Sequence, residues 1–254
     1  MFKSNKVLLL GAGGMLGTHI SYVWNRDSSS NSELIVSTER FTRNDELLDY
    51  LSQMEPRAVI NCIGCLSGNP EEQSRINGDF PRVMADWCEK NKSGLIHIST
   101  NAVFAPHPTR FWIPTDALNP ITPYERSKAL GEDPRAYVLR VSFIGKSPKK
   151  VGIYDRLCKD EPFTDRNWNG VTALDLAERI LELAKRQIDA PASGVEHVYS
   201  AEPIRFTKIA ELLKSRSRCQ GDSNDARLLG GGIARKPLSE QLRDYAVFLK
   251  KFRI

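Results

Sequence analysis

The segment Val7-Leu8-Leu9-Leu10-Gly11-Ala12-Gly13-Gly14-Met15-Leu16-Gly17 decides how the chain begins to fold. Its first four residues are all apolar, as in a parallel strand that is buried on both faces. A glycine-rich turn between such a strand and a helix lets the backbone approach a pyrophosphate, whose charge the helix N-terminus stabilises. We therefore expect a dinucleotide at this turn; the alternative is a tight turn without a ligand. The residues expected to contact the dinucleotide are Gly11, Gly13, Gly14, Met15, Leu16 and Gly17.

Strand and helix patterns alternate along the chain after this turn. Apolar runs predict strands at 34–36, 58–62, 95–98, 137–141 and 195–199, and helical spacing predicts helices at 20–24, 45–54, 81–90, 124–132, 171–185, 204–213 and 238–252. This alternation predicts an α/β fold with a doubly wound parallel sheet of the Rossmann type. The polar, glycine-rich stretch 219–233 is predicted to be a loop.

We expect two regions in the chain. Residues 1–145 form a dinucleotide-binding Rossmann domain that also carries the catalytic residues. Residues 146–254 form a small, discontinuous C-terminal region that mainly binds the substrate, with some segments returning to the Rossmann core.

The composition indicates a soluble enzyme rather than a nucleic-acid or membrane protein. The net charge of +5 is scattered along the chain, and no nucleic-acid module is visible. The apolar run near the N-terminus is too short to span a bilayer. Five cysteines without framework spacing suit the cytoplasm. Cys62 and Cys65 form one C-x-x-C without a second pair, so we expect no metal site.

A hydroxyl and a Tyr/Lys pair form a second group of candidate residues. Thr100 ends the predicted strand that contains Ile98 and Ser99, and ligands bind at such carboxyl ends. Tyr124 and Lys128 are four residues apart and therefore share one helix face. An ammonium beside a phenol lowers the phenol's pKa, which makes Tyr124 a candidate acid or base. The expected catalytic residues are Thr100, Tyr124 and Lys128.

The residues after the second strand bear on the form of the dinucleotide. An arginine at this place accommodates a 2′-phosphate, whereas a carboxylate favours a free ribose 2′-hydroxyl. Arg40 and Arg43 are candidates for a phosphate clamp, and Glu39 indicates the opposite. On balance the segment favours NADP(H) over NAD(H), although all three side chains could be ordinary surface residues.

With these motifs in place, the chain resembles the extended short-chain dehydrogenase/reductase superfamily, and within it the dTDP-4-dehydrorhamnose reductase family of sugar-nucleotide reductases. The resemblance covers nearly the whole chain. Its motifs are the glycine loop, 59–62, Arg75-Ile76-Asn77, Ile98-Ser99-Thr100 with Val103-Phe104, 120–128 with Gly131-Glu132, Leu139-Arg140, 168–172 and 237–242.

The resemblance implies an oxidoreductase that uses NAD(P)H to reduce a nucleotide-linked 4-keto-6-deoxy sugar for polysaccharide or glycan synthesis. Tyr124 would protonate the developing alkoxide, Thr100 would orient the keto oxygen, and Lys128 would contact the nicotinamide ribose. Asn101 would also contact the substrate. Trp168 and Asn169 could contact its sugar or base, or form only a turn at the entry to a helix. Four residues after the third strand would contact the cofactor, namely Asn61, Cys62, Ile63 and Gly64.

Two departures from the family pattern leave alternatives open. Asn101-Ala102 stands where the reductases usually have Asp-Tyr, which argues against dehydratase chemistry and leaves the sugar undetermined. A small residue such as Ala102 is seen in sugar-nucleotide epimerases with tightly bound NAD, which are the first alternative. A non-catalytic dinucleotide-binding regulatory subunit is the second, although it has no need for the catalytic triad. A homodimer is compatible with the sequence.

Overall fold

The computed structural model describes residues 5–27, 32–150, 152–222, 227–228 and 233–251. The described strands are β1 (Lys6–Leu10), β2 (Glu33–Ser37), β3 (Ala58–Asn61), β4 (Gly94–Thr100), β5 (Phe111–Trp112), β6 (Tyr137–Val141), β7 (Phe143–Ile144), β8 (Phe163–Asp165), β9 (Asn167–Trp168), β10 (Val171–Thr172), β11 (Gly194–Ser200), β12 (Ile204–Arg205), β13 (Cys219–Asp222), β14 (Arg227–Leu228) and β15 (Ile233–Arg235).

The described α-helices are α1 (Met15–Arg26), α2 (Asn44–Met54), α3 (Pro70–Ser74), α4 (Phe80–Asn91), α5 (Pro123–Leu130), α6 (Ile153–Cys158), α7 (Ala173–Asp189), α8 (Phe206–Leu212) and α9 (Leu238–Lys251). A π-helical segment, Arg75–Asp79, joins α3 to α4, and a short 3₁₀ turn, Asn101–Val103, follows β4. Within the described part of the chain, no helix is long and apolar enough to cross a membrane.

Seven parallel strands form the central sheet in the order β15-β11-β6-β4-β3-β1-β2. From β1 the chain adds β2 on one side and β3 on the other, so the strand order reverses between β1 and β3. In open α/β sheets the ligand crevice lies at such a switch point, outside the carboxyl ends of the strands. The prediction of a doubly wound Rossmann-type sheet is confirmed.

Helices cover both faces of the sheet, and β1 shows why its sequence is apolar throughout. Val7 and Leu9 pack in the layer that contains α1 and α7, whereas Leu8 and Leu10 pack in the layer of α2 and α4. All four side chains are fully buried. Burying such a side chain contributes about 1.5–3 kcal/mol, so β1 stabilises both layers at once.

A buried ion pair fixes α7 to the sheet. Arg179 on α7 donates through Nη2 to Oε2 of Glu196 on β11 at 2.6 Å, and the two side chains are 2% and 4% exposed. The hydroxyl of Tyr137 on β6 donates to the same carboxylate oxygen at 2.9 Å. Removing one partner of such a pair leaves an uncompensated buried charge and costs about 3–5 kcal/mol.

The C-terminal region differs from the predicted loop at 219–233. β13 pairs in parallel with β8, β14 pairs with β5, and β15 forms one edge of the central sheet. The loop prediction is wrong for these residues, because short polar strands gain their hydrogen bonds from segments far away in sequence. Residues 223–226, 229–232 and 252 lie outside the described residues. Segments on both sides of residue 145 contribute to the sheet, and the division there stays a prediction.

Candidate active site

The glycine loop is shaped by two close backbone approaches at the switch point. Gly11 has φ +76°, and a Cβ atom there would lie 2.8 Å from the carbonyl carbon of Cys62. A Cβ atom at Gly17 would lie 2.5 Å from Cα of Ala12 and from the carbonyl oxygen of Gly11. Side chains at positions 11 and 17 would therefore push the loop away from β3 and from the start of α1.

The surface of this loop fits a pyrophosphate. Gly13 is exposed, and the nearest heavy atom to a Cβ there would be Cγ2 of Thr38, 3.7 Å away. Gly14 caps α1 without a side-chain hydrogen bond, and the first turn carries no acidic residue. The helix N-terminus thus presents uncapped N–H donors to an anion. Met15 is partly buried at this turn, whereas Leu16 packs into the core.

The loop after β3 forms the opposite wall of the switch point. Oδ1 of the buried Asn61 accepts a hydrogen bond from the backbone N–H of Ile63 at 3.0 Å, so its amide nitrogen faces Nδ1 of His97 at 3.1 Å. Burial raises the pKa of the Cys62 thiol to about 12, which keeps it uncharged. Asn61, Cys62 and Ile63 therefore bring no net charge to the site; Gly64 follows them, exposed, in the same loop.

A residue without an assigned role in the sequence analysis, Asn77, connects this loop to α5. It is fully buried in the π-helical segment. Its Oδ1 accepts from the Cys65 N–H at 2.8 Å, and its Nδ2 donates to the Cys65 carbonyl at 2.8 Å and to Oγ of Ser127 at 3.0 Å. Ser127 Oγ donates in turn to the Tyr124 carbonyl at 2.7 Å. The loop after β3 and the helix of Tyr124 thus share one anchor.

Capping fixes where α5 begins, and so where its functional side chains stand. The Thr122 hydroxyl accepts from the Glu125 N–H at 3.2 Å, and the Glu125 carboxylate accepts from the Thr122 N–H at 2.8 Å. This reciprocal capping box, with Pro123 at the first helical position, starts the helix at residue 123. Tyr124 consequently lies in the first turn, and Lys128 lies one turn later.

The electrostatics of Tyr124 and Lys128 differ from the sequence-based expectation. The ammonium of Lys128, 5% exposed, donates to the Ile98 carbonyl at 2.7 Å, and burial lowers its pKa to about 8. Burial raises the pKa of Tyr124 to about 12, and the charge of Glu125 adds to this rise. The expected lowering of the Tyr124 pKa by Lys128 is wrong, because desolvation of the phenol dominates. Tyr124 is therefore a protonated phenol at neutral pH.

Thr100 ends β4 beside these two residues. Its hydroxyl oxygen accepts from the Ala102 N–H at 3.1 Å and approaches Oδ1 of Asn101 at 3.4 Å. Asn101 is buried. Helix α5 packs against both β4 and the 3₁₀ turn after it. The structure therefore places α5, which carries Tyr124 and Lys128, beside Thr100 at the carboxyl edge that also holds the glycine loop.

The two arginines after β2 differ in what they contact. Arg43 pairs with Asp45 at 2.9 Å and with Glu46 at 3.8 Å, so its charge is balanced by two carboxylates. Arg40 is exposed and makes no hydrogen bond or ion pair with any residue that the structure describes. Arg40 is thus the better placed of the two for a 2′-phosphate.

Trp168 and Asn169 are buried and bonded within the protein. Nε1 of Trp168 donates to Oγ of Ser142 at 2.7 Å. The Asn169 amide donates to the Leu228 carbonyl at 2.7 Å and accepts from the Leu228 N–H at 3.3 Å. These contacts support the alternative that both residues form a structural turn before α7. Among the described residues, no group of side chains could hold a metal ion.

Comparison with known proteins identifies the family. Residues 5–226 match the family model described as the RmlD substrate binding domain. The chain belongs to this family. It is 29% identical over 215 residues to a probable low-salt glycan biosynthesis reductase of Haloferax volcanii, a match that covers 76% of this chain and 68% of that relative. It is 27% identical over 207 residues to a dTDP-4-dehydrorhamnose reductase of Mycobacterium tuberculosis, covering 72% and 66%.

Solved structures of this family share the fold. A dTDP-4-dehydrorhamnose reductase ortholog of Clostridium acetobutylicum superposes with a TM-score of 0.81 at 18% identity, covering 96% of this chain and 99% of that one. Its Bacillus anthracis counterpart, in complex with NADP, gives 0.77 at 18% identity and covers 96% and 98%. The prediction of a sugar-nucleotide reductase is confirmed at the level of the family. A Bordetella bronchiseptica enzyme of the same fold (TM-score 0.74, 15% identity, covering 97% and 94%) holds NAD, so a nicotinamide dinucleotide is supported without a preference.

The glycine loop gives a direct test with a matched control. Gly17→Ala is expected to lower the free energy of unfolding by about 1–3 kcal/mol, because the added methyl group overlaps backbone atoms. Gly13→Ala is expected to change it by less than about 0.5 kcal/mol, because that position is open. Urea unfolding followed by circular dichroism measures both. Equal losses in the two variants would contradict the close approach at Gly17.

Proposed function

We propose that the protein is an NAD(P)H-dependent reductase of a nucleotide-linked 4-keto-6-deoxy sugar that serves polysaccharide or glycan synthesis. One observation supports the proposal: in a member of this family, α5, which carries Tyr124 and Lys128, packs against the end of β4, which carries Thr100, at the carboxyl edge that also holds the glycine loop. A pure binding protein has no use for an acid at this place. The names of the relatives supply the substrate class.

Thr100, Tyr124 and Lys128 each have a separate role in the proposed reaction. The bound dinucleotide supplies the hydride for C4 of the sugar. Tyr124 donates its phenolic proton to the keto oxygen as negative charge develops there, and the Thr100 hydroxyl orients that oxygen. The Lys128 ammonium stabilises the developing negative charge electrostatically and binds the nicotinamide ribose. A phenol with a raised pKa suits this direction, because it retains its proton until the alkoxide forms.

The glycine loop, Arg40 and the β3 loop hold the cofactor in this proposal. The N–H groups at the start of α1 bind the pyrophosphate, and Asn61 with Cys62 to Gly64 lines the nicotinamide side. Arg40 binds a 2′-phosphate, which favours NADP(H) over NAD(H). On the substrate side, Asn101 lies next to Thr100, whereas Trp168 and Asn169 are assigned to the turn before α7 rather than to contact with the sugar.

An epimerase is the second candidate, and Ala102 beside the catalytic threonine favours it. An epimerase recycles its hydride and needs no added NAD(P)H, whereas a reductase consumes one NAD(P)H per sugar. A regulatory subunit would consume none and would tolerate loss of the Tyr124 hydroxyl. A homodimer and a cytoplasmic location stay predictions.

The Tyr124 hydroxyl provides the test of the reaction. With a panel of 4-keto-6-deoxy sugar nucleotides, wild-type protein is expected to oxidise NAD(P)H, measured by absorbance. Tyr124→Phe should lower kcat by about 10²–10⁴-fold, because the proton donor is lost, while NADPH still binds. The control is Tyr22→Phe on α1, whose ring packs against Phe248 of α9 and which should retain the wild-type rate. Reduction by Tyr124→Phe at the wild-type rate would refute the proposed role.

Arg40 provides the test of cofactor preference. Arg40→Ser is expected to raise the dissociation constant of NADPH by at least about tenfold, the value of a lost charge-assisted contact, and that of NADH by less than about twofold. Arg43→Ser is the matched control, since the charge of Arg43 is already balanced. Fluorescence titration of wild type and of each variant gives the dissociation constants of NADPH and NADH. Equal weakening of NADPH and NADH in Arg40→Ser would show that Arg40 does not bind the 2′-phosphate.

A further inference from the structure

A buried ion pair lies directly behind the candidate catalytic residues. Arg140 on β6 and Glu132, two residues beyond the end of α5, are both 6% exposed and 2.7 Å apart. The guanidinium binds the carboxylate through two nitrogens: Nη2 donates to Oε2 at 2.7 Å, and Nε donates to Oε2 at 3.0 Å and Oε1 at 3.1 Å. Such a planar fork fixes orientation as well as charge.

The pair extends into a network that joins the segments around the site. Oγ of Ser99, the residue before Thr100, donates to Oε1 of Glu132 at 2.6 Å. Nη1 of Arg140 donates to the Pro114 carbonyl at 3.0 Å, and its guanidinium lies 5.1 Å from the ring centre of Phe104. The carboxylate therefore ties the last residues of β4 to the end of α5, β6 and the segment that follows Thr100.

The charge of Glu132 also raises the pKa of Lys128. The side chains that act on the Lys128 ammonium are Glu132 beyond α5 and the Cys62 thiol after β3, and Lys128 in turn acts on His97 of β4. The thiol is uncharged, and burial together with Lys128 holds the pKa of His97 well below its usual 6.5. On the far side, His197 of β11 approaches Nη1 of Arg140 at 3.5 Å. Glu132 is therefore the acidic side chain that opposes the desolvation of Lys128.

The location of this pair distinguishes it from an ordinary core contact. Arg179 and Glu196 form a buried Arg–Glu pair of the same kind, yet none of their hydrogen bonds reaches a residue next to the triad. Glu132, in contrast, bonds the neighbour of Thr100 and lies four residues after Lys128. The two ion pairs thus have the same chemistry, but only the Arg140–Glu132 pair bonds a residue next to Thr100.

We propose that Glu132 is a positioning residue, which orients Thr100 through Ser99 and keeps Lys128 charged, with Arg140 holding its carboxylate in place. The kinetic part of this proposal rests on the proposed reductase function, whereas the electrostatic part concerns dinucleotide binding alone. Loss of the Glu132 charge lets Lys128 release its proton at lower pH. Loss of the Arg140 charge leaves the carboxylate unbalanced, so that Lys128 releases its proton at higher pH.

The test measures the dissociation constant of NADPH between pH 6 and 10 by fluorescence. In wild type, affinity should fall with rising pH around pH 8, as Lys128 loses its charge. Glu132→Gln should move this midpoint down by roughly one pH unit, and Arg140→Gln should move it up by a similar amount, the size of effect expected from one nearby charge. Glu196→Gln, the control, should lower the urea midpoint of unfolding as much as Glu132→Gln does, without moving the pH midpoint.

Ser99→Ala tests whether Glu132 orients Thr100 through Ser99, and it changes no charged group. It should lower kcat about tenfold, the cost of one lost hydrogen bond to an ionised group, and leave the pH midpoint and the NADPH affinity unchanged. If Glu132→Gln or Arg140→Gln does not fold, Ser99→Ala still tests the proposal, because an unchanged kcat in that variant refutes it. Identical pH midpoints in Glu132→Gln and Glu196→Gln would refute it as well. If wild type reduces no sugar nucleotide, the proposed function fails, and the pH midpoints still decide the role of Glu132.

Discussion

The whole site depends on the close approach of two backbones where the strand order reverses. Gly11 leaves β1 in a left-handed conformation and lies against the carbonyl of Cys62 at the end of β3. This contact directs the N-terminus of α1 towards the carboxyl edge of the sheet, where the loop after β3 also lies. Asn77 then connects that loop to α5, because its side chain bonds the backbone of Cys65 and the hydroxyl of Ser127. The candidate cofactor site and the proposed proton donor are therefore joined by one chain of hydrogen bonds.

Burial determines the chemistry that this arrangement supports. Removing Tyr124 and Lys128 from water favours the neutral form of each, which raises the pKa of the phenol and lowers that of the ammonium. The phenol, which is protonated at neutral pH even in water, thereby keeps its proton to a still higher pH. The ammonium stays charged only below a pH of about 8, so a nearby carboxylate has a large influence on it. Thus the same desolvation that prepares Tyr124 makes Lys128 dependent on Glu132.

Much of the fold could be predicted from the sequence because its signals are local. The unbroken apolar run of β1 and the glycines after it indicate a buried parallel strand and a phosphate loop, and the four-residue spacing of Tyr124 and Lys128 places them on one helix face. The paired strands β13 and β8 could not be predicted, because their hydrogen bonds join segments that are distant in sequence. The direction of the Tyr124 pKa shift was mispredicted, since it depends on burial rather than on spacing. The roles of Asn77 and Glu132 depend on tertiary neighbours in the same way.

In the proposed reaction, hydride passes from a dinucleotide on the glycine loop to a sugar whose oxygen Tyr124 protonates. This transfer is measured with NADPH that carries two deuterium atoms at C4 of the nicotinamide and a 4-keto-6-deoxy sugar nucleotide, followed by mass spectrometry and NMR of the sugar. We expect one deuterium at C4 of the sugar for each NADPH consumed. A sugar product without deuterium, or conversion without consumption of NADPH, would contradict it and indicate an epimerase instead.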